Sequence, residues 1–165
     1  MAGIKTMDDL FLHTLKDIYY AERQILKSLP KMAKAAQSEE LKQGFTMHRE
    51  QTQQQIERLQ QVFEALGKRA QGVTCEAIQG LIEECEELLD DAPEPSPVRD
   101  AGLIACGQAI EHYEIARYGT LIAWAKAQDK AEVVKLLEDN LAEEKETDGL
   151  LTKMAKSSVN LAAAA

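Results

Sequence analysis

Long apolar runs are missing from this sequence: nowhere does it approach the roughly 18 successive apolar residues that a membrane-spanning helix needs. Residues 1–9 have no apolar leader core either, so a cytoplasmic protein without a membrane partner is expected. Basic charge is also short. Lysine and arginine number 19 against 28 acidic side chains, a net charge of −9 with no basic patch, so a phosphate backbone is repelled and nucleic acid is not an expected partner. Cysteine is scarce and odd in number: Cys75, Cys85 and Cys106 have no C-x-x-C spacing, which argues against a disulfide framework or a thiolate zinc site and fits reduced thiols. Aromatic residues make up only 5% of the chain although 45% is hydrophobic. What remains is rich in Ala, Leu, Glu, Gln and Lys, the residues that lose least on entering a helix.

The apolar residues recur at spacings of three and four, which places them along single faces of helices. Leu10, Phe11, Leu15, Ile18, Ile25, Leu26 and Leu29 mark a first long helix over about residues 7–36, with Thr6 as its N-cap and Asp8 and Asp9 at the positive end of its dipole. Pro30 is expected to kink its last turns or to end a first segment. Leu41, Phe45, Ile56, Leu59, Phe63 and Leu66 mark a second over about 38–66, closed by Gly67. The stretch from Gly67 to Pro97 is too long for a hairpin turn and carries its own helix over about 74–91, long enough to return the chain roughly 25 Å along a bundle. Pro93, Pro95 and Pro97 then break it. Two further long helices follow over about 98–127 and 130–157, and the alanine-rich tail after residue 160 is expected to fray. The fold class predicted is all-α: a single-domain ferritin-like four-helix bundle spanning 1–165, with a helical long crossover between the second and third long helices.

Some polar residues fall on the apolar faces. Glu22 sits between Ile18 and Ile25, and His48 lies in a stripe with Phe45, Thr52, Ile56 and Leu59, with Gln51 and Gln55 on its flank. Glu111 shares a face with Ile104, Ile115, Tyr118 and Ile122, with Glu114 at its margin, and Glu144 and Asp148 point inward from the last long helix. Each of the four long helices thus brings a polar ionisable group to mid-length. Carboxylates buried together must be protonated, solvated or neutralised by cations. Oxygen ligands with one imidazole suit iron or manganese, and four such helices commonly hold two ions bridged by glutamates. Glu22, His48, Glu111, Glu114, Glu144 and Asp148 are therefore the candidate metal ligands. Taken singly, an inward Glu or His is more often salt-bridged or simply buried than a ligand, and Tyr19, Tyr20, Tyr113 and Tyr118 read as packing residues with tethered hydroxyls. The run Glu83, Glu84, Glu86 and Glu87 reads as a solvated face.

Several stretches resemble the YciF/YciE family of bacterial ferritin-like stress proteins over nearly the whole chain. They are D-x-Y-x-A-E-x-Q at 17–24, S-L-P-K-M-A at 28–33, H-x-x-x-T-x-x-Q at 48–55 followed by E-R-L, and G-L-I-E-E at 80–84. The most specific are R-D-A-x-L-I-A at 99–105, E-H-Y-E-I-A-x-Y-G-T-L at 111–121 and E-E-K-x-T-D at 143–148. The resemblance implies a ferritin-like bundle, a homodimer, expression under stress and a rubrerythrin-like metal site. One departure is Gln51, where relatives usually carry a glutamate within H-L-x-E-T, which leaves one anionic ligand fewer. The usual ferritin-like E-x-x-H is also absent from the second and fourth long helices. Two functions follow as expectations. One is a di-iron or di-manganese carboxylate protein that reduces peroxide or dioxygen with electrons from an unknown redox partner. The other is a non-catalytic structural or interaction protein of the stress response with a vestigial metal site.

Overall fold

A computed structural model describes residues 3–165. Four long helices form the bundle: α1 (Met7–Ala35), α2 (Glu39–Ala65), α4 (Pro97–Ala127) and α5 (Ala131–Met154), with α3 (Glu76–Asp91) crossing between the second and third. This is an all-α, ferritin-like connectivity, and the described residues include no strand.

Local chemistry sets the helix ends. Thr6 caps α1 in a reciprocal box, its hydroxyl accepting from the Asp9 amide at 3.1 Å while Asp9 accepts from the Thr6 amide at 3.0 Å. Ser38 and Ser96 cap α2 and α4, and Pro97 occupies the first turn of α4, where no amide hydrogen is needed. Helix α1 runs through Pro30 to Ala35 rather than ending there. Gly67 closes α2 with φ 64°, the Lys68 amide donating to the Phe63 carbonyl at 2.9 Å and the Gly67 amide to Glu64 at 2.8 Å. The α4–α5 turn repeats this pattern with Asp129 at φ 55° in the glycine's place.

Arg99 and Asp100, both buried, tie the crossover to the α1–α2 corner. The Arg99 guanidinium donates to the carbonyls of Ala92, Pro93 and Ala35 at 3.2, 2.6 and 2.6 Å. The Asp100 carboxylate accepts the Gln37 and Ser38 amides at 2.7 and 2.8 Å. Helix α3 lies so close to α4 that a Cβ on Gly102 would meet Leu88 Cδ2 at 2.6 Å. The core joins residues from α1 to α5 and includes Phe11, Leu15, Leu41, Leu59, Leu103 and Leu137. The tail is helical: a π turn over Ala155–Val159, with Val159 buried, leads into α6 (Asn160–Ala164), none of whose residues is buried. The tail lies against α4.

Candidate metal centre

Inside the bundle the inward faces of all four long helices are polar at one level. Ile18 and Ile25 are buried on α1, so the helical period buries Glu22 between them. His48, Thr52 and Gln55 come inward from α2, and Asn140, Glu144 and Thr147 from α5. Helix α4 supplies Glu111, Glu114 and Tyr118. Glu22, Glu114 and Glu144 have no exposed surface at all.

The cluster is tight. His48, Glu111, Glu114 and Glu144 each offer a ligand atom, and these atoms lie within 4.8 Å of one another. His48 Nε2 is 3.0 Å from Glu111 Oε1, yet it has no hydrogen-bond partner because the two atoms are not aligned as donor and acceptor. Two atoms that close but misaligned are arranged as ligands to a common point would be. Both oxygens of Glu114, both of Glu144, and one each of Glu22 and Glu111 are buried without a partner. Among the described residues, no lysine or arginine forms an ion pair with any of these four glutamates.

Electrostatics follow from that burial. Desolvation, reinforced by the charge of Glu144, pushes the Glu22 carboxyl up to about 8 despite its hydrogen bond from Tyr118. Burial likewise raises Glu111 to about 8, and it holds Glu114 and Glu144 well above the ordinary carboxyl range, with neighbouring glutamates adding to the effect. The four titrate as a unit. Without a cation the site must therefore take up protons, and a divalent ion would displace them.

A hydrogen-bonded chain holds the Glu22 side. The Tyr118 hydroxyl donates to Glu22 Oε1, and Asn140 Nδ2 donates to the same hydroxyl at 3.0 Å and to the Gln55 carbonyl at 3.3 Å. Arg58 donates to Asn140 Oδ1 at 2.9 Å and clamps Glu143 with two bonds of 2.8 and 2.7 Å. Thr147 sits three residues after Glu144, one turn along the same face, with its hydroxyl 3.3 Å from both His48 Nδ1 and Gln51 Oε1.

Four of the six predicted ligands, His48, Glu111, Glu114 and Glu144, are brought together within 4.8 Å, and Glu22 is buried beside them, held by Tyr118. Asp148 is not: it is half-buried on the flank of α5, where Gln108 Nε2 at 2.9 Å and His112 Nε2 at 3.2 Å occupy its carboxylate. The helical wheel turns it about 40° further than Glu144, enough to leave the bundle axis for the α4–α5 seam. Glu114 is fully buried rather than marginal, and Gln55 is fully buried with neither amide atom partnered. Asn140 and Thr147 were not recognised from the sequence; their spacing of four and three from Glu144 was the available signal. All four tyrosine hydroxyls are tethered, to Gln60, Gln79, Asp17 and Glu22 respectively. The three cysteines are free and lie outside the cluster.

Residues 6–164 match a family described as a domain of unknown function, DUF892. Protein YciF of Escherichia coli strain K12 is 45% identical over 159 residues, covering 96% of this chain and 95% of its own length. The chain belongs to the YciF family. The crystal structure of the E. coli stress protein YciF superposes with a TM-score of 0.90 at 44% identity, over 95% of this chain and 99% of that one. YcfI from Rhodopseudomonas palustris, provisionally described as a structural protein, superposes with a TM-score of 0.88 at 53% identity, over 90% and 94% of the two chains. Among the described residues no helix is long and apolar enough to cross a membrane.

Proposed function

We propose that this chain is a stress-response protein whose bundle core holds two iron or manganese ions and reduces dioxygen or peroxide. The observation that carries the proposal is the convergence of His48, Glu111, Glu114 and Glu144, with Glu22 buried beside them: six oxygens of the four glutamates lack protein partners, and no lysine or arginine among the described residues pairs with them. Such a donor set fits the metal: carboxylate oxygens with one imidazole suit a hard or borderline divalent ion, and no thiolate is present to favour zinc or copper. Ions that cycle between two oxidation states would supply the electrons that no side chain here can.

The protein's own part is to hold and to exclude. Glu111 and Glu144, from the paired helices α4 and α5, would hold the ions together with Glu22, Glu114 and His48. Thr147 fixes the His48 ring through Nδ1 and leaves Nε2 to face the cluster. Tyr118 and Asn140 orient Glu22. Asp148, engaged by Gln108 and His112, acts from outside the ligand set. Free thiols fit a cytoplasmic location, and a homodimer served by a redox partner completes the proposal.

The test is metal content of untagged protein reconstituted anaerobically with ferrous or manganous ion, followed by dioxygen and peroxide consumption. About two ions per chain are expected, with loss of both binding and consumption in Glu111→Gln and Glu144→Gln. The neutral Gln51 beside Thr147 favours a second reading, a structural protein with a vestigial site. Protein that binds no metal and consumes neither oxidant would establish that reading instead.

A further inference from the structure

Helices α3 and α4 bring together two cysteines that the sequence keeps apart. The helices approach closely at Gly102, where a Cβ would lie 2.6 Å from Leu88 Cδ2. The short link of residues 92–96 makes them run in opposite directions. Cys85 lies one turn before Leu88 and Cys106 one turn after Gly102, so both fall on the same seam. There the two thiols are close enough to share a proton, Cys85 buried and Cys106 partly exposed. Neither belongs to the His48 and glutamate cluster. Cys75 is buried elsewhere, its Sγ 3.0 Å from the Tyr113 hydroxyl.

Their surroundings give the two thiols different tasks. The hydrogen bond from Cys85 lowers the Cys106 thiol against the opposing effects of burial and of Glu84. The partly exposed sulfur is therefore the one that reaches the nucleophilic thiolate form. The same contact, with burial, raises the Cys85 thiol and keeps it protonated. An accessible thiolate beside a second thiol is the arrangement that peroxide converts to a disulfide rather than to an irreversible acid.

We infer that Cys85 and Cys106 form a peroxide-sensitive dithiol that closes reversibly to a disulfide between α3 and α4. The Cys106 thiolate attacks one oxygen of hydrogen peroxide: an S–O bond forms, the O–O bond breaks, and the hydroxide that leaves takes up the proton Cys106 had released, giving water. Cys85 sulfur then attacks the sulfenic sulfur. The S–S bond forms as the S–O bond breaks, and the departing hydroxyl takes the Cys85 proton as a second water. Two electrons pass from the sulfurs to the peroxide. A low-molecular-weight thiol reverses the change by exchange and is itself oxidised to its disulfide. No metal takes part, so the inference goes beyond the metal-centre reading and does not depend on it.

The test treats chelated full-length protein with equimolar hydrogen peroxide, alkylates the remaining thiols and maps the peptides by mass, once in the folded state and once in urea. Folded protein is expected to yield linked Cys85 and Cys106 peptides, lighter by two hydrogen atoms, with Cys75 alkylated and the link lost on adding dithiothreitol. Cys75 is nearer than Cys106 to Cys85 in sequence, so in urea the Cys75–Cys85 link should prevail. Cys85→Ser should leave Cys106 as a sulfenic acid that dimedone traps, and Cys106→Ser should leave Cys85 alkylated. The wild-type maps decide the matter even where a variant fails to fold. Folded protein in which Cys75 oxidises first, in which Cys106 passes to the sulfinic acid with Cys85 still free, or in which all three thiols outlast the peroxide would overturn the inference.

Discussion

In the absence of a metal ion, this protein's stability should fall as pH rises. The folded carboxyls of Glu22 and Glu111 sit at about 8 against an ordinary 4.5. A group raised in this way contributes stability in full below its unfolded pKa and loses it as pH climbs through its folded pKa. At about 1.4 kcal/mol per unit, one such carboxyl is destabilised by roughly 5 kcal/mol once ionised. Glu114 and Glu144 are raised too, but the four are coupled and water can relieve part of the strain, so roughly 5 kcal/mol is the expectation for the cluster as a whole rather than for each member. Urea unfolding of chelator-treated protein between about pH 5 and pH 8 measures it. Ferrous or manganous ion should reverse the slope, because its ligands must be deprotonated to bind. Glu144→Gln sharpens the test: it should stabilise the metal-free protein near pH 8 and weaken the metal-loaded one. Chelated protein with a flat profile, or a Glu144→Gln variant that loses stability in both states, would refute the reasoning.

Other perturbations separate architecture from site. Asp100→Ala leaves the Gln37 and Ser38 amides without their acceptor and should lower unfolding stability by about 2 kcal/mol with metal content unchanged. Asp129→Gly relieves a left-handed conformation and should raise stability by about 0.5–1 kcal/mol, read as a higher melting temperature. Tyr118→Phe removes the hydroxyl that links Glu22 to Asn140. It should reduce stability by about 1–2 kcal/mol and weaken metal binding less than Glu144→Gln does, as titration calorimetry would report.

The bundle could be read from the chain because its signals are local and repeated. Apolar spacing, capping residues at Thr6 and Ser38, the glycine stop at Gly67 and the proline cluster before α4 each act within a turn or two. The inward acids were legible for the same reason, since Glu22, Glu111 and Glu144 lie within apolar stripes. Asp148 lies about 40° from Glu144 on the helical wheel, at the edge of the same stripe, and the closeness of α4 brings Gln108 and His112 to it. Glu114 lies at the edge of its stripe, where a bundle with four walls buries more than a single helical face foretells. Composition alone points to a frayed tail, whereas the structure shows a helix over Asn160–Ala164 lying against α4, a contact that no window of residues 160–165 contains. Arg99 and Asp100 carried the resemblance to the family, yet their bonds serve the fold.

Whether one interior level gathers these acids around a cation can be seen directly by anomalous diffraction from crystals loaded with manganous or ferrous ion, recorded on either side of the metal's absorption edge. The prediction is strong anomalous density enclosed by Glu22, His48, Glu111, Glu114 and Glu144 in the wild type, lost in Glu144→Gln. An interior free of anomalous density at saturating metal, with the glutamates paired to one another through protons, would contradict it.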